Sequence, residues 1–341
     1  MKYSFKNDYS EMTHPTILEA LTKLQFEQFE GYGQDRYSEK ARKLLKTFLH
    51  NEKVDIHFVT GGTQANLTVI ASLLKPYEAV ISVHSWHICV HEAGAIEANG
   101  NKIITVDGKY GKIYPEDIQK VINLHTDEHM VIPKLVFISN STETGTIYTK
   151  KELISLSSFC KKHNLLLYLD GARLGVALTA KTNDIKIEEL CKLVDILYIG
   201  GTKNGAILGE AIIIINDNLK AHFRHIMKQK GALLAKSTII GIQFCELFND
   251  GLYFKLAENA NDKAMKLAEW IEKLWYTYFF PYITNQIFPI LPNDKITKLQ
   301  KKYDFYIREK IDEKKSAIRL VTSRATKEEN IVAFLSDLQQ S

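Results

Sequence analysis

The chain has 341 residues, enough for roughly two domains and for a full core without disulfides or a structural metal. Apolar residues make up 45% and charged residues 25%, which excludes a disordered, collagenous or coiled-coil protein. The 44 Lys and Arg against 40 Asp and Glu, +4 net, is too weak a balance to mark nucleic acid or an anionic membrane as partner.

Residues 1 to 50 are helical in pattern and carry one loop, Gly31-Tyr32-Gly33-Gln34-Asp35. From 54 to 215, β-rich runs alternate with amphipathic segments. The runs are 55–60, 79–83, 102–106, 135–138, 165–169, 195–199 and 212–215. One helix pattern follows Thr63 and stops at Pro76; another follows the second run and ends near Gly100. This alternation predicts βαβ units and a mainly parallel sheet flanked by helices. The near-continuous apolar character of the runs predicts strands buried on both faces. Residues 219–247 are helical in pattern again, and Lys220, Arg224, Lys228, Lys230 and Lys236 read as a solvated face. Residues 288–292 read as a turn or connection, and 317–321 as a strand. The expected division is an N-terminal segment plus a large α/β domain over 1–250, then a smaller α+β domain over 251–341.

The longest aliphatic run, 211–215, is far shorter than a membrane span. The opening residues contain no apolar stretch of the secretory kind. Cys89, Cys160, Cys191 and Cys245 have neither CxxC nor metal-ligand spacing and read as free thiols in a reducing compartment. The expectation is a cytoplasmic protein.

In open α/β sheets, ligands bind beyond the carboxyl ends of the strands, so the residues there matter most. After the first run come Gly61-Gly62-Thr63-Gln64-Ala65-Asn66, entering a helix. Glycines admit close backbone approach and a helix N-terminus offers free N–H donors, which together make a phosphate cradle. The segment is neither a Walker A loop nor GxGxxG. His87, His91 and Glu92 follow the second run; without HExxH or an obvious third ligand, a stacking or surface histidine is favoured over a metal site. Asp170 closes the run 165–169, and a carboxylate there needs a cation, either Arg173 or a protonated ligand nitrogen. Lys203 follows the run 195–199 and reads as a phosphate contact or a Schiff-base lysine activated by desolvation. The order of cradle, Asp and Lys matches what pyridoxal 5′-phosphate (PLP) requires: a phosphate anchor, a carboxylate for the pyridine nitrogen and a lysine for its aldehyde.

With these motifs in place, the chain resembles the L-threonine aldolase and aromatic β-eliminating lyase group of fold-type I PLP enzymes, most of all the low-specificity threonine aldolases. Besides the segments above, Asn7-Asp8-Tyr9, Gly31 to Asp35, His91-Glu92-Ala93-Gly94 and Ile318-Arg319-Leu320-Val321-Thr322 carry the likeness. The resemblance implies a Schiff base at Lys203, a pyridine-nitrogen contact at Asp170 and Arg173 beside the cofactor's O3′. It further implies phosphate contacts at Gly62 and Thr63, stacking of His87 on the ring, and a substrate carboxylate gripped by Arg319. Asn7 and Asn140 are implied substrate contacts. Tyr32 and Asp35 would approach from a partner chain of a homodimer or homotetramer with active sites at the dimer interface. His87, or a water held by His87 and Glu92, is the candidate base.

The sequence departs from the family in three places. Asn7 stands where aldolases carry serine. Ser139-Asn140-Ser141 replaces Glu-Asn-Thr. Residues 227–234 replace a glycine-rich stretch with a phosphate-binding arginine, leaving Arg224 and Lys228 as alternatives. The implied reaction is retro-aldol cleavage of a small amino-acid substrate, threonine or allo-threonine, to glycine and acetaldehyde. β-Elimination on the same scaffold, with Lys203 taking the α-proton, is the alternative. Retention of Lys203, Asp170, His87 and Arg319 together argues against a non-catalytic PLP-binding protein.

Overall fold

The computed structural model describes residues 2–340. The chain opens with β1 (Tyr3–Ser4), and seven further strands build the main sheet: β2 (Asp55–Val59), β3 (Glu78–Val83), β4 (Lys102–Val106), β5 (Ile132–Ser139), β6 (Leu166–Gly171), β7 (Ile196–Gly200) and β8 (Glu210–Ile214). Across the sheet they run β2-β8-β7-β6-β5-β3-β4. The pairs from β7 to β4 are parallel, and β8 is antiparallel to both of its neighbours. Helices cover both faces, so β7 and β8 are buried along their whole length, as their Ile-rich runs require. The winding reverses between β3 and β5, opening a crevice at the carboxyl ends of the parallel strands.

Five short strands follow: β9 (Gln286–Ile287), β10 (Ile290–Pro292), β11 (Tyr303–Asp304), β12 (Tyr306–Lys310) and β13 (Lys315–Val321). β13 pairs antiparallel with β9, β10 and β12. Helix Leu252–Lys273 begins after the Asn249–Gly251 turn and is shared by two cores. Its Leu256 packs with the main sheet, whereas Ala264, Leu267, Ala268 and Ile271 pack with β13 and helix Glu328–Gln340. Phe5 belongs to this second core, and β1 pairs with β11, so the first strand lies with the C-terminal region.

Four local expectations need correction. The helical pattern of 1–50 is delayed: helices Pro15–Lys23 and Arg36–Leu49 follow the strand β1. The helix expected up to Gly100 is only His87–Val90 plus a 3-10 turn at Glu97–Asn99, because Ala93 and Gly94 take positive φ and break the register. The 219–247 helix is two, Phe223–Gln229 and Thr238–Phe248. Gly231, left-handed at φ 69°, ends the first while the Ala232 N–H bonds back to the Met227 carbonyl. Residues 290–292 form a strand rather than a connection, since Leu291 is buried opposite Ser316 of β13. Among the described residues no helix is long and apolar enough to cross a membrane.

Candidate active site

The carboxyl ends of β2, β3, β5, β6 and β7 converge on a cleft of about 680 Å³, with β12 and β13 along its rim. At the end of β2, Gly61 is extended and helix Gly62–Leu73 begins with no side-chain cap. Its first N–H groups are therefore left for a ligand, and the local dipole favours an anion. The loop is fixed by the Thr60 N–H and hydroxyl, both donating to Gln64 Oε1 at 3.0 and 2.7 Å. A Cβ on Gly62 would meet the Tyr198 hydroxyl at 3.0 Å, so a side chain there would crowd the cleft floor.

Asp170 is the next-to-last residue of β6, buried, with Oδ1 accepting the Ala172 N–H at 2.9 Å. Burial raises its carboxyl, opposed by a hydrogen bond from Tyr198 and by Lys203. Lys203 follows β7 on a 3-10 turn, Thr202–Asn204, and burial followed by the Arg173 charge pulls its ammonium below the ordinary lysine range. Such a lysine keeps more free amine at neutral pH, the form that attacks a carbonyl.

Arg173 is buried and holds Asp8 through two bonds, Nε to Oδ2 at 2.7 Å and Nη2 to Oδ1 at 3.0 Å. Asn285 adds a third bond to Asp8 at 2.9 Å. Burial would raise the Asp8 carboxyl, but Arg173 and Lys203 outweigh it and hold it down to about 2. Glu143 lies 3.9 Å from Arg173; burial opposes its ionisation, and Arg173, Lys203, Arg319 and His87 together lower it.

His87, entering from β3, places Nδ1 2.9 Å from Glu92 Oε1. The same oxygen accepts Asn66 Nδ2 at 2.8 Å, and the Tyr168 hydroxyl donates to Asn66 Oδ1 at 2.9 Å. The buried chain Tyr168–Asn66–Glu92 thus fixes the imidazole: Nδ1 donates to the carboxylate, and Nε2 is left as the acceptor. Glu92 Oε2 is buried without a partner among the described residues, an unsatisfied acceptor in the cleft wall. Arg319, on β13, donates from Nε and Nη2 to Gln286 Oε1 at 3.2 and 2.5 Å. One side of its fork is braced while Nη1 makes no hydrogen bond among the described residues.

Gly62, Thr63, His87, Glu92, Asp170, Arg173, Lys203 and Arg319 therefore meet in one cleft. The other sequence candidates lie elsewhere. Asn7 Oδ1 accepts from the Tyr9 N–H and the Ser10 hydroxyl, and its neighbour Tyr9 reaches the cleft instead. Asn140 is buried behind the wall, its Oδ1 accepting the Tyr148 N–H at 3.3 Å, while Ser139 and Ser141 line the cleft. Asp35 caps helix Arg36–Leu49 with bonds from Tyr37, Ser38 and the Ser38 hydroxyl. Tyr32 is exposed, its ring under Lys228 at 4.7 Å and its carbonyl accepting from Arg224 at 3.1 Å. None of these four residues, nor Arg224 or Lys228, lines the cleft of its own chain.

Sequence reasoning missed Asp8, Glu143 and Glu210. Asp8 was visible only as part of a motif, with nothing to reveal its partner 165 residues away. Glu143 follows β5 and was open to the same strand-end rule that found Asp170. Glu210 escapes that rule because β8 runs backwards, bringing its first residue rather than its last to the cleft.

The pattern of the beta-eliminating lyase family matches residues 9–292. A low specificity L-threonine aldolase of Pseudomonas sp. is 31% identical over 311 residues, 89% of this chain and 88% of its own. Its Pseudomonas aeruginosa counterpart is 31% identical over 79% of each chain. The solved structure of a Leishmania major threonine aldolase superposes with a TM-score of 0.97 at 44% identity, over 99% of both chains. An aspartate aminotransferase of Thermus thermophilus, 16% identical with a TM-score of 0.72, shares the fold alone, the fold-type I arrangement. With the family pattern spanning most of its length, this chain belongs to the beta-eliminating lyase family.

Proposed function

We propose that the protein is a PLP-dependent carbon–carbon lyase that cleaves β-hydroxy-α-amino acids, threonine or allo-threonine, to glycine and acetaldehyde. One observation carries this reading: an uncapped helix N-terminus, the buried Asp170 and the desolvated Lys203 share a cleft with Arg319 and the His87–Glu92 pair. The residues fit the cofactor. Gly62 and Thr63 would hold its phosphate, Asp170 its pyridine nitrogen, Arg173 its O3′ side and Lys203 its aldehyde carbon. When bound, PLP supplies a protonated ring that accepts the electron pair released at the substrate's Cα.

The chain's own groups do the rest. Arg319 would take the substrate carboxylate on the side of its fork that Gln286 leaves open, a bidentate match for guanidinium. His87 Nε2 would take the β-hydroxyl proton as the Cα–Cβ bond opens and the aldehyde leaves. Glu92 stabilises the resulting imidazolium through Nδ1–H. Asn66 and Tyr168 keep Glu92 in place.

The proposal includes a homodimer or homotetramer in which Tyr32 and Asp35 approach the partner's cleft, and Arg224 or Lys228 contacts its phosphate. The exposure of Tyr32, away from its own cleft, supports this. A cytoplasmic location is also proposed, supported by four free thiols. The test is the product from L-threonine and L-allo-threonine with PLP present. Glycine and acetaldehyde are expected; 2-oxobutyrate and ammonia without glycine would replace the aldolase reading with β-elimination.

A further inference from the structure

Glu210 is a buried carboxyl in the cleft wall to which the proposed chemistry gives no task. It starts β8, and because β8 lies between β2 and β7, its Cα faces Val59 on one side and Gly200 on the other. Val59 leads directly into Thr60-Gly61-Gly62-Thr63, and Gly200 into Gly201-Thr202-Lys203. A single side chain therefore stands between the helix N-terminus that would hold a phosphate and the turn that carries the lysine. Glu210 Oε2 accepts the Gly201 N–H at 2.8 Å, and the Thr202 hydroxyl bonds to the same carboxyl. Thr202 Oγ1 in turn accepts the Gly209 N–H at 3.1 Å, closing the turn onto β8.

We propose that Glu210 works as a neutral carboxylic acid held on the lysine turn beside the phosphate cradle, and that its ionisation loosens the grip on a phosphate dianion. The inference rests on the cofactor reading above and adds a role for a residue outside the cofactor's own contacts. Its physical basis is the cost of two anions in one desolvated wall. Burial raises the Glu210 acid to about 7, against hydrogen bonds from Thr202 and Gly201. Of the charges facing it, Lys203 favours the carboxylate and Asp170 the neutral acid. Tyr168 and Tyr198, from β6 and β7, and Tyr253, from helix Leu252–Lys273, surround it as phenols raised by burial, so they remain uncharged near neutrality. A bound dianion adds a second negative charge, so binding and protonation of Glu210 reinforce each other.

Pyridoxine 5′-phosphate, which lacks the aldehyde and cannot react with Lys203, is the probe. Its Kd is measured by fluorescence on the full-length protein freed of cofactor, from pH 6 to 8.5, with unphosphorylated pyridoxine alongside. In the wild type, Kd should rise with pH by about tenfold, the effect of one pK unit of coupling. Glu210→Gln keeps the acceptor for Gly201 but cannot ionise, so its Kd should lose that rise. Glu210→Asp should restore a pH dependence with a shifted midpoint, which covers the case in which the glutamine variant does not fold. Pyridoxine should show no difference between wild type and Glu210→Gln at any pH. The same slope in wild type and Glu210→Gln, an unmoved midpoint in Glu210→Asp, or a Glu210 effect on pyridoxine equal to that on its phosphate would each overturn the proposal. Failure of wild type to bind either compound would instead overturn the cofactor reading on which it rests.

Discussion

Replacing Asp8 by Asn should destabilise the cofactor-free protein more than any surface charge change. The carboxylate is buried, clamped by two bonds from Arg173 and one from Asn285, and shifted from 3.8 to about 2. A shift of that size corresponds to about 2 kcal/mol of stability from the ionised form. Asparagine also leaves Arg173 as a buried cation with Glu143 at 3.9 Å as its remaining carboxylate among the described residues, which brings the expected loss to about 3–5 kcal/mol. The pH dependence has a definite sign. Because the folded carboxyl titrates below its unfolded value, the contribution is complete above about pH 4 and fades as pH falls through about 2. Urea unfolding at pH 7 and pH 3 measures both numbers. The difference between wild type and Asp8→Asn should be large at pH 7 and begin to narrow by pH 3. Adding Arg173→Met should recover part of the loss by removing the stranded charge. A loss below about 1 kcal/mol at pH 7, or no recovery in the double variant, would refute the coupling.

Arg319→Lys keeps a charge but loses the fork, so KM for the amino acid should rise while PLP remains bound; unchanged saturation would place the carboxylate contact elsewhere. His87→Ala should slow carbon–carbon cleavage by roughly 10²–10⁴-fold, read from aldehyde release, whereas a much smaller loss would make a water or Glu92 the base. Gly62→Ala puts a methyl 3.0 Å from the Tyr198 hydroxyl and should weaken PLP binding in absorbance titrations without lowering the unfolding temperature much.

The large α/β unit was legible because its signals are local. Apolar runs that end in Gly61-Gly62-Thr63, Asp170 and Lys203 state both the strand and what it delivers, and the parallel order brings those ends together. Arg319 is different: it sits within a strand of the small region, and only the family resemblance pointed to it. The illegible parts depend on distant partners. Nothing near Tyr3 announces Tyr303, and nothing near Ile290 announces Ala317, so both strands read as something else. At Asp35 a local signal went unread, since a carboxylate at a helix start is an N-cap by its own chemistry. Glu210 was hidden by direction, because only topology reveals that β8 runs against its neighbours.

The central claim is that this cleft is a PLP site built around Lys203, and borohydride fixation tests it most directly. The protein is incubated with PLP, reduced, digested and mapped by mass spectrometry. The account predicts a yellow protein before reduction and a pyridoxyl group on Lys203 alone after it. A label on a different lysine, or no visible absorbance and no label after PLP is added, would contradict it.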